Sequence, residues 1–275
     1  MTTAPDGRSP FLFVVGCGRS GTSVLRRVLD GHSQLAVAHE ARFVAPLSRR
    51  RARYEHEDGF DAGAFADDLL ADPAVRGNLG MSREDVRAAL DGAPVVDYPD
   101  AVRRIFSYYA ARQGKPRYGD KMPAYVLRMP ALAELFPEAR FVHIIRDGRD
   151  VALSTMAIPG RREDAVRLGL EWRRRVEEGR RAGHRLGPAR YREVRYEGLV
   201  DDPEVNVASL CEFLDLAYEP DMLRFFERPD GTPGKVLTNP RHLRLAEPLS
   251  AGSRTWRTEM READVQRFEI GRAHV

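Results

Sequence analysis

Hydrophobic positions fall into short uninterrupted runs, separated by stretches in which they recur every three or four residues. That alternation is expected of strands buried on both faces and of the helices that cover them. The first run, Phe11 to Val15, stops at Gly16. From Thr22 the pattern returns at helical spacing with Val24, Leu25, Val28 and Leu29, and Gly31 stands where a C-cap would. Leu35 to Ala38 predicts a second short strand, which delivers His39, Glu40 and Arg42 beyond its end. Farther along, a strand ends near Asp120 and Lys121, a helix is predicted over Pro123 to Phe136, and the apolar run from Phe141 to Ile145 reads as a central strand. Helices over Asp147 to Met156 and Arg162 to Arg185 and a last strand over Tyr191 to Arg195 complete the series. Strands alternating with helices predict an α/β fold with a parallel sheet covered on both faces.

The stretch from about Ser48 to Pro116 interrupts this rhythm. It is charged, Ala-rich and broken by Gly and Pro, with one helical pattern from Ala101 to Arg112. Two readings stay open for it: a helical cap that shapes an acceptor site, or an insertion that only packs. A chain of 275 residues with 43% apolar residues suits one large domain, taken here as 11–268 behind a polar tail of residues 1–10. That tail lacks the apolar run of a secretory signal, and no segment has about 18 uninterrupted apolar residues, so a cytoplasmic protein with no membrane span is expected. The formal charge of +3 is offset by acids almost everywhere along the chain, which does not imply nucleic-acid binding. Only Lys115, Lys121 and Lys235 of the 44 basic residues are Lys, a bias that reads as bacterial, GC-rich coding. Cys17 and Cys211 are too few for a disulfide framework and lack neighbours at metal-ligand spacing. At the other end, residues 269–275 break the helical pattern, and their codons can be written as the start of a common sequencing adapter; this tail is expected to be non-native.

Candidate chemistry begins in the segment Gly16 to Ser23, which reads Gly-Cys-Gly-Arg-Ser-Gly-Thr-Ser. It follows a strand and opens a helix, the setting in which a glycine-rich loop wraps backbone N–H groups around a phosphate, aided by the helix dipole. Thr22 stands where a Walker loop has its Lys, so Arg19 is the cation at hand.

The stretch Gly18-Arg-Ser-Gly-Thr-Ser23 resembles the 5'-phosphosulfate loop of the sulfotransferases that use 3'-phosphoadenosine 5'-phosphosulfate. The likeness continues through Leu29-Asp-Gly-His32 to Glu40-Ala-Arg42, which is similar to the tyrosylprotein sulfotransferase branch and its bacterial relatives. A second signature runs from Arg140 through Ile145-Arg-Asp-Gly-Arg-Asp150 to Ser154. Weaker likenesses are Gly119-Asp-Lys-Met-Pro123 to the family's Asn-Lys-Asp-Pro, Val194 to Val200 to its Tyr-Glu segment, and Pro248 to Arg257 to its C-terminal Ser-x-x-x-Trp region. The departures are Met122 in place of an acid, and Thr238 and Asn239 where a nucleotide-contacting Ser is expected.

The resemblance implies the sulfotransferase fold, a P-loop NTPase-like parallel sheet flanked by helices. It also implies 3'-phosphoadenosine 5'-phosphosulfate as co-substrate, without a metal, and a small-molecule or peptide hydroxyl as acceptor. Gly18, Arg19, Ser20, Gly21, Thr22 and Ser23 would hold the 5'-phosphosulfate, Arg146 and Ser154 the 3'-phosphate, and Tyr196 would join the nucleotide site. Arg19 and Lys121 would stabilise the charge on the departing oxygen. Glu40 aligns with the catalytic Glu of the tyrosylprotein branch and is the candidate general base; His39 is the rival, and both His39 and Arg42 would face the acceptor. His143, Trp172 and Trp256 read as packing residues. Two competing classes are a P-loop kinase, which would need a Lys after Gly21 and an acid for magnesium, and a non-catalytic nucleotide-binding relative.

Overall fold

The computed structural model describes residues 9–161, 163–228, 247–249 and 255–273; Thr238 and Asn239 lie outside them. The chain starts with β1 (Leu12–Gly16), α1 (Thr22–Asp30) and β2 (Leu35–His39). The insertion then forms α2 (Val44–Ser48), a small hairpin of β3 (Glu55–His56) and β4 (Gly59–Phe60), α3 (Ala62–Ala71), α4 (Pro73–Asn78), α5 (Arg83–Leu90) and α6 (Tyr98–Ala111). Next come β5 (Arg117–Lys121), α7 (Met129–Leu135), β6 (Arg140–Ile145), α8 (Gly148–Met156), α9 (Ala165–Leu186) and β7 (Tyr191–Arg195). The remaining helices are α10 (Tyr196–Asp201), α11 (Pro203–Phe213), α12 (Trp256–Glu259) and α13 (Glu262–Ala273).

The five long strands form one sheet in the order β2-β5-β1-β6-β7, and every pair is parallel. The central strand β1 is buried along its whole length, which is why its sequence is continuously apolar. Apolar clusters fill both faces. Leu25, Val28, Leu29, Val142, Leu210 and Phe225 cover one. On the other, Phe11, Phe13 and Phe141 share a core with Phe65, Tyr98 and Phe106 of the insertion. The insertion is therefore part of the main core, and α6 covers the sheet like any crossover helix. Open parallel sheets bind ligands where neighbouring crossovers diverge, at the carboxyl ends of the strands. Here β1 lies between β5 and β6, so that position falls beyond Gly16, Lys121 and Ile145.

Several expected boundaries shift, each for a local reason. The single helix expected over Pro123 to Phe136 is a 3₁₀ turn over Pro123–Arg128 followed by α7. Pro130 has no N–H to extend the first turn and is tolerated only at the start of the second helix. Gly31 follows α1 but keeps right-handed φ (−65°), unlike a left-handed cap. It is small because the Met222 Cα would lie 3.1 Å from any Cβ placed there. The long helix begins at Ala165, where the Asp164 side chain accepts from Val166 N–H, three residues later than expected. Residues 269–273 do not break the helical pattern: α13 runs on to Ala273. Phe268 buries against Trp172, and Glu269 pairs with Arg149, which anchors that turn.

Candidate active site

The loop between β1 and α1 turns sharply: Ser20 N–H donates to Cys17 O at 3.2 Å, and Arg19 adopts φ 71°. Gly21, at φ 92°, occupies the N-cap position of α1. It must be glycine on two counts, since the left-handed φ disfavours any side chain and a Cβ would run into the Tyr196 ring. Among the described residues no side chain caps α1 and its first turn holds no acid, an arrangement in which N-terminal N–H groups and the dipole favour an anion. Ser20 is fully buried, and its Oγ has no hydrogen-bond partner among the described residues. A buried hydroxyl is normally paired. One left unpaired beside an uncapped helix start fits a bound phosphate oxygen.

Arg146 follows β6 on the other side of the loop. Its guanidinium lies 4.7 Å above the Tyr196 ring and 3.7 Å from Asp150, one turn into α8. Trp172 Nε1–H donates to the Arg146 carbonyl at 3.1 Å, while Asp150 accepts from the N–H groups of Thr255 and Trp256. Sequence reasoning read Trp172 as packing only and missed Asp150, although an acid four residues after the Arg on a helix was a usable signal. Ser154, expected beside Arg146 at the nucleotide, accepts from Arg19 Nε at 3.0 Å and so links α8 to the loop between β1 and α1.

The candidate acceptor residues lie on the adjacent strand ends. Lys121 closes β5 opposite His39, the last residue of β2. It is fully buried, and its Nζ donates to Glu40 Oε1 at 2.7 Å and to Ser23 Oγ at 3.3 Å. One ammonium thus touches the start of α1 and the candidate base together. Arg42 approaches the other Glu40 oxygen, Oε2, at 3.3 Å. Burial would raise the Glu40 carboxyl, but Lys121, with His39 and Arg42, outweighs it and holds the group at about 2. Burial lowers Lys121 from its ordinary value, and Glu40 only partly restores it. Glu40 and Arg42 both have left-handed φ, 48° and 65°. With Arg19 they are three of the four non-glycine residues in that region among those described, so backbone strain concentrates at this site.

Two contacts here escaped sequence reasoning. Asn78, at the end of α4, donates its side-chain N–H to Glu40 O at 3.0 Å, which brings the insertion to the site. Asp120 Oδ1 accepts Ala41 N–H at 3.2 Å. No sequence signal pointed to Asn78, whereas Asp120 was visible as an acid inside a predicted buried strand. His143 lies in the core as expected, with Nδ1 2.8 Å from the Tyr191 hydroxyl and burial pushing its ring down to about 4. Among the described residues no group of three or more His, Cys, Asp or Glu could hold a metal ion, and no helix is long and apolar enough to cross a membrane.

A parallel sheet carries a glycine-rich loop after β1, with the buried Lys121 paired to the half-buried Glu40 beside it. A model of the sulfotransferase family matches residues 10–220, and the chain belongs to that family. It is 25% identical over 234 residues to the protein-tyrosine sulfotransferase of Drosophila melanogaster, covering 82% of this chain and 42% of that protein. It is 32% identical over 111 residues to the omega-hydroxy-beta-dihydromenaquinone-9 sulfotransferase of Mycobacterium tuberculosis, covering 35% and 28%. The chain thus spans less than half the length of either relative. In fold it is similar to the sulfotransferase domain of the Synechococcus olefin synthase, with TM-score 0.66, 22% identity and 98% of both chains covered.

Proposed function

We propose that the chain transfers a sulfuryl group from 3'-phosphoadenosine 5'-phosphosulfate to a hydroxyl acceptor by in-line displacement, with Glu40 as general base. The observation that carries this reading is the position of Lys121 Nζ, buried between Ser23 Oγ on the phosphate loop and Glu40 Oε1. The acceptor oxygen forms a bond to sulfur as the bond from sulfur to the bridging oxygen breaks, and 3'-phosphoadenosine 5'-phosphate departs. The acceptor's proton passes to Glu40. Negative charge grows on the bridging oxygen, where Lys121, Arg19 and the N–H groups of α1 supply fixed positive charge.

The Ser20 hydroxyl and the start of α1, both without a side-chain partner among the described residues, fit the 5'-phosphate. Arg146, with its guanidinium carbon 4.7 Å from the Tyr196 ring centre, offers a fork to the 3'-phosphate. Before the donor arrives, Lys121 and Arg42 engage both Glu40 oxygens, which makes the carboxylate a weak base. The donor's anion competes for Lys121, so its binding loosens that pair and raises Glu40 towards an ordinary carboxylate. Relatives named for a protein tyrosine and for a lipid-quinone hydroxyl suggest where an acceptor screen should begin.

The test is mass spectrometry of an acceptor library of tyrosine peptides, phenols, lipids and sugars, with and without the sulfonate donor. A donor-dependent gain of about 80 daltons, the mass of the sulfuryl group in this displacement, is the expected result. Tight binding of the bisphosphate with no product from any acceptor class would favour a non-catalytic relative.

A further inference from the structure

Glu40 opens a turn with one backbone hydrogen bond of its own, Phe43 N–H to Ala41 O at 2.9 Å. Left-handed conformations at Glu40 and Arg42 persist only where the surroundings over-determine them. Three hydrogen bonds do so: Glu40 N–H to Lys121 O at 2.9 Å, Asn78 Nδ2–H to Glu40 O at 3.0 Å, and Ala41 N–H to Asp120 Oδ1 at 3.2 Å. The third comes from an unusual source. Asp120 is fully buried on β5, between Phe13 of β1 and Ala38 of β2, which are also fully buried. Its second oxygen, Oδ2, has no partner among the described residues.

A buried carboxyl with one oxygen unmet is costly to keep. Its neighbours are Lys121 on its own strand, Glu40 on the β2 turn and Tyr125 on the 3₁₀ turn. Burial pushes the carboxyl up to about 7 against Ala41 N–H and Lys121. Successive strand residues face opposite ways, so Lys121 reaches the Glu40 carboxylate while Asp120 grips the backbone one residue later. The two hold one turn from both faces of the sheet.

We propose that Asp120 is a positioning residue: through Ala41 N–H it fixes the strained turn and thereby the place at which the Glu40 carboxylate meets the acceptor hydroxyl. This rests on Glu40 being the base. A side-chain oxygen at this position is what matters, so an amide can replace the carboxyl.

The experiment places Asp120→Ala and Asp120→Asn in the full chain, alone and combined with Glu40→Gln. It reads kcat and acceptor KM on a phenol of ordinary acidity, and the affinity for 3'-phosphoadenosine 5'-phosphate. Asp120→Ala should lower kcat about ten- to a hundredfold, the scale of a misplaced reacting group, with bisphosphate affinity unchanged within about threefold. Asp120→Asn should return kcat to within about threefold of wild type, because its carbonyl still accepts Ala41 N–H. Added to Glu40→Gln, Asp120→Ala should cost nothing further, since it acts through a base already removed. If Asp120→Ala does not fold, Asp120→Leu, which fills the same space and cannot accept a hydrogen bond, takes its place. An equal loss with and without Glu40, or an Asn variant as impaired as the Ala one, overturns the proposal alone. Near-normal turnover by Glu40→Gln overturns the base assignment, and the positioning role falls with it.

Discussion

The phosphate loop and the Glu40 turn both follow a strand end, yet they are finished in opposite ways. In the loop, α1 starts without a side-chain cap and Ser20 Oγ is buried without a partner among the described residues. In the Glu40 turn the backbone N–H and carbonyl are both bonded, and each carboxylate oxygen lies beside a cation. On the proposed function the loop is left for an anion to finish, whereas the turn is complete and would have to open before its carboxylate accepts a proton. Lys121 joins the two, touching Ser23 of the loop and Glu40 of the turn, and in the proposed mechanism the donor would draw it from the base.

The sharpest way to break this contrast is to remove the base. Glu40→Ala should cost about two to four decades in kcat on an ordinary phenol, the usual scale for a lost general base. Bisphosphate binding should stay close to wild type, and a strongly acidic phenol, already ionised, should recover most of the rate. Lys121→Met should cost about two to three decades, typical of one lost charge-stabilising donor, and unlike Glu40→Ala should also weaken donor binding in a direct titration. Arg146→Ala probes the donor side alone. It should weaken the bisphosphate about ten- to a hundredfold, the scale of a charged hydrogen bond, but leave adenosine 5'-phosphosulfate, which lacks the 3'-phosphate, nearly unaffected. His39→Ala should keep at least about a tenth of the activity if it only flanks the turn; a dead His39 variant beside an active Glu40 variant would move the base one residue back.

The smallest effect is one of stability, and its sign differs between two adjacent carboxyls. Asp120 is raised from 3.8 to about 7, so its contribution is fully present below 3.8 and fades as pH rises towards 7. The melting temperature of Asp120→Asn relative to wild type should therefore climb between those pH values and then level off. Glu40 is depressed from 4.5 to about 2, so its contribution is present above 4.5 and fades as pH falls towards 2. Wild type should lose its advantage over Glu40→Gln across that lower window in acid melts.

The candidate donor side was the legible half of the sequence. Phe11 to Val15, the glycines around Arg19 and the apolar run before Arg146 are local patterns that carry their own structure, and each strand appears within a residue of its expected place. The acceptor side depends on contacts between distant segments. Ala41 meets Asp120 and Glu40 meets Asn78 across 79 and 38 positions, and nothing near either residue announces the partner. The 3₁₀ turn at Pro123 was missed because apolar spacing alone does not separate 3₁₀ from α geometry. Continuation of α13 past Phe268 was missed because α9 supplies its packing from a hundred residues away.

The shared core of sheet and insertion bears on how such an enzyme can be re-engineered. Phe65, Tyr98 and Phe106 pack in the cluster that covers Phe11 and Phe13, so the segment cannot be grafted from a relative as a cassette. Exchanging it would uncover one face of the sheet, at about 1.5 to 3 kcal/mol for each large apolar side chain returned to water. Changes of acceptor range are better sought one residue at a time where the insertion touches the site, beginning around Asn78.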